Sequence, residues 1–230
     1  MSSYNLAVLI SGSGSNLQAI MDAANSGNLS GARVALVVSN REGAYGLERA
    51  KNHGVPSMVI DKANISELLK TLEHYEISGI VLAGYLAILP LEVINEYSGK
   101  IINIHPALLP LFGGKGFYGI KVHQAVLASG MKYSGATAHV VDCGIDTGAA
   151  IVRGVVPVLA SDTAQELQKR VLVMEHKVLV KAVRIMVENK TKETVEKPVM
   201  VIEEKDRENM QEFAKGLAAL GDALLQHNNP

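Results

Sequence analysis

Short apolar runs alternate along the chain with stretches in which apolar residues recur every three or four positions. The runs are rich in β-branched residues and have the length of strands, whereas the spaced stretches have the period of amphipathic helices. We predict strands over Leu6–Ile10, Val34–Ser39, Ser57–Ile60, Gly79–Ala83, Lys100–Ile104, Ala136–Val141 and Ala149–Val156. We predict helices over Asn16–Asn25, Gly46–His53, Ser66–Tyr75, Leu91–Tyr97 and Val122–Ser129, and from a Ser161-Asp162 cap to about Asn189.

This order of elements predicts an α/β domain with a twisted, mostly parallel sheet flanked by helices. The last two strands are close enough in sequence to pair as a hairpin, so we expect the sheet to be mixed. A boundary is predicted at residue 190, with a domain over 1–190 and a C-terminal extension over 191–230. The extension combines a charged linker, a short apolar run after Pro198 and an amphipathic helix. The apolar seam of that helix consists of Met210, Phe213, Leu217, Leu220 and Leu224.

Composition excludes several classes of protein. The 22 basic and 23 acidic residues are nearly balanced, which argues against a nucleic-acid surface. The first apolar run stops at Ile10, too short for a signal peptide or a membrane span. The single cysteine, Cys143, excludes an intramolecular disulfide and is typical of a reducing compartment. We therefore expect a cytoplasmic protein that acts on small-molecule substrates and binds neither nucleic acid nor a membrane. A homodimer is possible.

A glycine-rich turn, SGSGSN, follows the first strand and leads directly into a helix. Glycine lets the backbone turn sharply, and the start of a helix presents unpaired N–H groups to an anion. The turn lacks the Gly-Lys-Ser/Thr ending of a Walker loop and the spacing of the dinucleotide fingerprint. Two interpretations are open from the residues: a phosphate-binding loop, or an ordinary strand-to-helix turn capped by serine.

Two polar side chains, Asn103 and His105, interrupt the apolar run of the fifth strand just before Pro106. Residues two apart in a strand share a face, and open α/β sheets bind ligands at the carboxyl ends of their parallel strands. A lone buried histidine is usually structural, whereas an Asn/His pair at this edge favours a functional site.

The segment VDCGIDTG between the last two strands is either a simple hairpin turn or the source of a carboxylate, Asp146, for His105. A neighbouring carboxylate would raise the pKa of His105 above about 6.5 and favour its charged form. Charged His105 and the amide of Asn103 would then form an oxyanion site with two donors. No serine or cysteine lies convincingly beside the pair, which predicts acyl transfer in which the substrate brings the nucleophile.

The chain resembles the glycinamide ribonucleotide formyltransferases, folate-dependent enzymes of purine synthesis, over about residues 5–190. The resemblance rests on five segments in this order: LISGSGSNLQAI, SNREGAYGLERA, VLAGYLAIL, INIHPALLP and VDCGIDTG. It implies a Rossmann-like formyltransferase fold. It also implies transfer of a formyl group from 10-formyltetrahydrofolate to the glycyl amine of 5-phosphoribosyl-glycinamide.

The resemblance also assigns expected roles to residues. The catalytic trio would be Asn103, His105 and Asp146. The ribonucleotide would be bound by Gly14, Ser15, Asn16 and Glu175. The folate would lie against Asn103 and two segments, largely through backbone groups: Leu86, Ala87, Ile88 and Leu89, and Asp142, Cys143, Gly144, Ile145 and Asp146.

Four positions depart from the family pattern. Ala87 stands where arginine is frequent, and Lys62 is the nearest basic residue to a further arginine that some members have. Ala149 replaces a proline, and Leu172 replaces a glutamine that often helps to bind the ribonucleotide. These differences bear on the affinities for folate and ribonucleotide more than on the reaction.

The remaining candidate residues have modest expected roles. His139 follows the pattern of a strand residue that faces the site, whereas His123 and His176 are expected at a helix surface or cap. Cys143 is expected to be an inert small residue. No cluster of histidine, cysteine and carboxylate has the spacing of a metal site, so no metal is expected.

Two other functions stay open. A formyltetrahydrofolate hydrolase uses a similar Asn/His/Asp site with water as the acceptor. A non-catalytic folate- or nucleotide-binding protein would use the same loops without turnover.

Overall fold

The computed structural model describes residues 3–188 and 198–203, in which strands and helices alternate. The elements are β1 (Tyr4–Ile10), α1 (Ser15–Asn25), β2 (Ala32–Ser39), α2 (Tyr45–Asn52), β3 (Ser57–Val59), α3 (Ile65–His74), β4 (Gly79–Leu82), α4 (Leu91–Glu96), β5 (Ile101–His105), α5 (Ile120–Ala128), β6 (Tyr133–Val140), β7 (Ala150–Pro157), α6 (Ala164–Val187) and β8 (Val199–Ile202). Every predicted element before residue 189 is present, with small shifts at its ends. The predicted amphipathic helix beyond residue 203 lies outside the described residues.

The strands form one sheet in the order β3-β2-β1-β4-β5-β6-β7-β8. Strands β1 to β5 pair in parallel, whereas β6 is antiparallel to both β5 and β7. The predicted hairpin and the mixed sheet are therefore confirmed. The short apolar run after Pro198 is β8, which pairs in parallel with β7. The domain boundary proposed at residue 190 stays a prediction.

Helices cover both faces of the sheet, so its central strands are buried on both sides. In β1, Leu6 and Val8 contact the core cluster that includes residues of α1 and α6. Ala7 and Leu9 contact a second cluster, which includes residues of α3 and α4. Strands buried on both faces are apolar at nearly every position, which explains why these runs lack an alternating pattern.

The chain leaves β1 toward β2 on one side, and β4 lies on the other side of β1. This reversal opens a crevice at the carboxyl ends of β1 and β4, the usual ligand position in such sheets. Ser11 joins the two loops that border the crevice. Its N–H donates to the carbonyl of Gly84 over 3.2 Å, and its Oγ accepts from the N–H of Leu86 at 2.8 Å.

The N-cap of the long helix α6 lies one residue after the predicted Ser161-Asp162 cap. The N-cap is Thr163, whose Oγ1 accepts from the N–H of Glu166 at 3.2 Å, while the Glu166 carboxylate accepts from the N–H of Thr163 at 2.7 Å. This reciprocal pair is a capping box. Asp162 does not cap the helix because its carboxylate pairs with Arg170 at 2.6 Å. The predicted Ser161-Asp162 cap is therefore wrong.

We expect Thr163→Ala to lower the free energy of unfolding by about 1 kcal/mol, because the first turn of α6 loses its side-chain acceptor. Ser161→Ala is the control, since Ser161 is exposed and lies outside the cap. Urea unfolding of the three proteins measures the difference. Equal losses for the two variants would contradict the assigned cap.

Candidate active site

Asn103 and His105 lie on one face of β5 at its carboxyl end, as predicted from their spacing. The antiparallel register places Asn103 opposite His139 of β6, and side chains at opposed positions meet on the same face. The Asn103 amide Nδ2 donates to His139 Nε2 over 3.0 Å. His139 Nδ1 lies 2.9 Å from the carbonyl of Val140, which can only accept, so the proton of a neutral ring is on Nδ1.

Asp146 reaches the same cluster from the loop between β6 and β7. Its Oδ2 lies 3.4 Å from His105 Nδ1, and its Oδ1 lies 3.4 Å from Asn103 Nδ2 and 3.6 Å from His139 Nε2. Asp146 has a φ of 58°, a left-handed conformation that is uncommon outside glycine. The loop is thus more than a hairpin turn, because it folds back and brings Asp146 against Asn103 and His105.

The segment after the proline turn contributes two backbone groups that the sequence did not single out. The carbonyl of Phe112 accepts from His105 Nε2 at 2.8 Å, and the N–H of Gly114 donates to Asp146 Oδ2 at 3.0 Å. A Cβ on Gly113 would lie 2.4 Å from Cδ2 of Leu109, so the segment approaches this closely only without a side chain there. In the sequence, the Gly113-Gly114 pair after Pro110 was the available signal for this close approach.

The expected rise in the pKa of His105 is wrong in direction. Burial lowers the pKa of His105, and the nearby carboxylate of Asp146 and the Phe112 carbonyl raise it by less. The side chain is only 6% exposed, so loss of hydration outweighs the attraction of one carboxylate. The neutral imidazole is therefore favoured at neutral pH.

The hydrogen bonds of His105 define where a further proton can bind. A carbonyl cannot donate, so Nε2 carries the proton of the neutral ring. The lone pair of Nδ1 then lies 3.4 Å from the Asp146 carboxylate, and two acceptors face each other. One additional proton between these atoms turns that contact into a favourable hydrogen bond. The pair formed by His105 and Asp146 can thus accept a proton.

Asp146 keeps its charge although it is buried. Burial raises its pKa, but the neighbouring His139, His105 and Gly114 amide together lower it by more, so the net shift of the Asp146 pKa is downward. A carboxylate is therefore held at the centre of the cluster.

The glycine loop enters α1 through Gly14, which has a φ of 70° and is the N-cap. The interpretation as a serine-capped turn is wrong, because no side chain caps this helix. Within the described residues, no backbone or side-chain acceptor meets the amides of Ser15, Asn16 and Leu17. Such amides at the positive end of a helix are suited to bind an anion.

Two buried side chains adjoin this helix start. Asn16 Nδ2 donates to the Glu175 carboxylate of α6 at 2.7 Å, and Asn16 Oδ1 is buried without a hydrogen-bond partner within the described part of the chain. Glu175 is 9% exposed, and burial raises its pKa to about 7 while the Asn16 bond lowers it. The helix start therefore adjoins two oxygen acceptors, which match hydroxyl donors on a ligand.

The two segments predicted to bind the folate differ in exposure. Leu86 is 54% exposed and Ile88 is 76% exposed, whereas Leu89 is buried in the core beneath α3 and α4. In the second segment Ile145 and Cys143 are exposed. Asp142 closes that loop on itself, because its Oδ1 accepts from the N–H of Gly144 at 3.0 Å and from Thr147 Oγ1 at 2.6 Å. Its carboxylate thus serves loop structure.

The two helical histidines depart from their expected surface or capping roles. His123 is 1% exposed, and burial, followed by the proximity of His105, lowers its pKa to about 4. His176 is half-buried, with Nε2 buried and unpaired among the described residues. The apolar flanks of His123 on α5 were the signal for its burial.

Two findings on the described residues concern metals and membranes. Within residues 3–188 and 198–203, no three histidine, cysteine or acidic side chains are placed to hold a metal ion. In the same ranges, no helix is long and apolar enough to cross a bilayer.

Comparison with known proteins places this geometry in a family context. The model of the formyl transferase family matches residues 4–183. A chloroplastic phosphoribosylglycinamide formyltransferase of Vigna unguiculata is 45% identical over 192 residues, which are 80% of this chain and 61% of that protein. The chain thus spans about three fifths of the length of that relative.

Two bacterial proteins extend the comparison. A phosphoribosylglycinamide formyltransferase of Haemophilus influenzae is 37% identical over 180 residues, which are 75% of this chain and 82% of that protein. The crystal structure of glycinamide ribonucleotide transformylase 1 from Symbiobacterium toebii superposes with a TM-score of 0.75 at 38% identity. It covers 81% of this chain and 89% of that one.

We expect Glu175→Gln to remove a pH-dependent loss of stability. Because the pKa of folded Glu175 is about 7 against an ordinary 4.5, the native state binds more protons between these values, and stability falls as the pH rises through them. Between pH 4.5 and 8, the free energy of unfolding of the wild type should fall by about 3 kcal/mol at most relative to that of the variant. Urea unfolding of both proteins across this range measures it. Parallel profiles would contradict the buried ionisation.

Proposed function

The chain belongs to the formyl transferase family, and from this membership and its site we propose the reaction that it catalyses. It transfers a formyl group from 10-formyltetrahydrofolate to the glycyl amine of 5-phosphoribosyl-glycinamide. The products are formylglycinamide ribonucleotide and tetrahydrofolate, in purine synthesis. The relatives named for this activity support the substrate assignment.

One observation carries the proposal: a histidine, an amide and a buried carboxylate converge, and no serine or cysteine side chain among the described residues hydrogen-bonds to them. Asn103 and His105 supply N–H donors, and Asp146 lies within 3.4 Å of both. Such a set can stabilise a developing oxyanion and move a proton, and it offers no hydroxyl or thiol for acylation. The acceptor must therefore bring its own nucleophile, as an amine does.

We assign each residue of the trio one task. The Asn103 amide and the His105 Nε2–H donate to the formyl oxygen as negative charge develops on it. For the His105 Nε2–H, the formyl oxygen competes with the carbonyl of Phe112. His105 Nδ1 and Asp146 accept the proton that the attacking amine loses. Asp146 also holds the imidazole in orientation, and His139 holds the Asn103 amide.

The exposed side chains of Leu86, Ile88 and Ile145 fit the flat faces of the folate ring system. When bound, the folate supplies the formyl carbon. The glycyl nitrogen bonds to the formyl carbon first, and the formyl oxygen takes the negative charge. The bond from this carbon to the folate nitrogen then breaks, and one proton passes from the glycyl nitrogen to the folate nitrogen. Ala87 offers no polar side-chain contact to the folate.

The start of α1 suits the phosphoribosyl group of the acceptor. The unpaired amides of Ser15 and Asn16 are donors for the phosphate. Asn16 Oδ1 and the Glu175 carboxylate are acceptors for ribose hydroxyls. Ser11 connects this loop to the folate segment, which supports one continuous cleft for both substrates. A cytoplasmic location and a homodimer stay predictions.

A deformylation assay tests the proposed function directly. Release of the formyl group from 10-formyltetrahydrofolate should depend strictly on added glycinamide ribonucleotide and should yield the formylated amide. Release of free formate without the ribonucleotide would assign the hydrolase instead. Absence of release under both conditions would favour a binding protein.

We expect His105→Ala to lower kcat by about a hundredfold or more, because one oxyanion donor and the proton acceptor are lost together. The KM values for both substrates should change little. His74→Ala is the matched control, since His74 is an exposed histidine on α3. Steady-state kinetics of the two variants make the comparison. Near-normal turnover of His105→Ala would refute the assignment.

Asp146→Asn should lower kcat by about a hundredfold while substrate binding is retained, because the amide cannot share a proton with His105. The variant keeps an oxygen that can accept from the Gly114 N–H, so the loop should keep its place. Kinetics combined with equilibrium binding of each substrate separate the two effects. Loss of binding with unchanged kcat would instead assign Asp146 to substrate affinity.

A further inference from the structure

Helix α2 donates hydrogen bonds to two consecutive backbone carbonyl groups of the glycine loop. The N–H of Gly46 donates to the carbonyl of Gly12 over 3.1 Å. The Nε of Arg49, one turn further along α2, donates to the carbonyl of Ser13 over 2.9 Å. Both acceptors on this side of the loop are thereby occupied by one helix.

These bonds orient the amides of the loop. In a trans peptide the N–H points opposite to the C=O, so the amides that follow the two carbonyls, those of Ser13 and Gly14, are turned away from α2. The contact is possible because Gly14 and Gly46 meet without side chains. A Cβ on Gly14 would lie 2.6 Å from Cα of Gly46.

The same arginine brings a positive charge to the back of the loop. Its Nη1 donates to Gln18 Oε1 of α1 at 3.1 Å, and its Cζ lies 5.1 Å from the ring centre of Tyr45. Across the residues that the structure describes, no carboxylate forms an ion pair with this guanidinium. The charge is therefore not neutralised locally, and it adds to the positive end of α1.

An independent observation marks the front of the same loop as a ligand position. Asn16 is only 6% exposed, yet its Oδ1 has no hydrogen-bond partner among the described residues. A buried acceptor without a partner costs free energy unless a ligand or water satisfies it. The charge of Arg49 and this unsatisfied oxygen thus flank one helix start.

We propose that Arg49 is a positioning residue that sets the preference of the enzyme for a phosphorylated acceptor. It fixes the Ser13–Gly14 peptide with its amide toward the phosphate and supplies charge without touching the reacting atoms. The inference rests on the proposed function, because it concerns the same acceptor site. Loss of Arg49 should therefore change binding of the phosphate group and leave the chemical step intact.

The test compares Arg49→Gln, Arg49→Lys and the control Lys51→Gln. Lys51 is exposed on the same helix, so its replacement removes an equal charge that has no contact with the loop. For Arg49→Gln we expect the KM for glycinamide ribonucleotide to rise about tenfold, the size of one charge-assisted hydrogen bond, with kcat and the KM for the folate unchanged. Calorimetric affinity for inorganic phosphate should fall by a similar factor.

Two comparisons separate positioning from a merely structural role. Turnover of the dephosphorylated glycinamide riboside should be equal in Arg49→Gln and the wild type, so only the preference for the phosphorylated acceptor is lost. Arg49→Lys keeps the charge and loses the planar guanidinium that bonds Ser13 and Gln18 together, so its KM for the ribonucleotide should rise about threefold. It provides the measurement if the glutamine variant fails to fold, as monitored by circular dichroism.

An unchanged ribonucleotide KM in both arginine variants would overturn the inference, as would an equal loss with the riboside. Failure of the proposed function is distinguishable, because the wild type would then lack ribonucleotide-dependent formyl release. The comparison of phosphate affinity between the wild type and Arg49→Gln would still test the role of the arginine. A loss in Lys51→Gln as large as in Arg49→Gln would also contradict it.

Discussion

The active site depends on keeping one carboxylate charged in a place where water hardly reaches. The side chain of Asp146 is 11% exposed, and a buried charge is stable only when neighbouring groups replace its hydration. The N–H of Gly114 and the side chains of Asn103 and His139 surround it, and His105 lies against its second oxygen. These groups come from the end of β5, from β6 and from the segment after Pro110, so the position of the carboxylate depends on all three at once.

Burial shifts the titratable groups of the cleft in a consistent way. The pKa of His105 is lowered and that of Glu175 is raised to about 7, so each shift favours the neutral form. Asp146 is the exception, because its hydrogen bonds and nearby histidines outweigh the cost of burial. A single negative charge beside a neutral imidazole is an arrangement that can take up a proton, whereas a preformed ion pair could not.

The cleft also depends on the reversal of strand order at β1. That reversal places the glycine loop beside the loop after β4, and Ser11 hydrogen-bonds both sides of the junction. The anion site adjoins the core under α1 and α6, whereas Asn103 and His105 lie on the face of the other core. Two regions built on opposite faces of the sheet therefore meet at its carboxyl edge.

The local pattern of apolar residues was sufficient to predict the strands and helices of the described domain. The spacing of apolar residues along the chain shows which side of each element is buried. It also placed Asn103 and His105 on one face and marked the glycine loop before α1, since both features are local. Only the tertiary structure decided the cap at Thr163, where Arg170 draws Asp162 away. It alone decided that the pKa of His105 is lowered, because a pKa depends on burial by residues distant in sequence. The hydrogen bond from Arg49 to Ser13 likewise joins α2 to the glycine loop, which no local pattern connects.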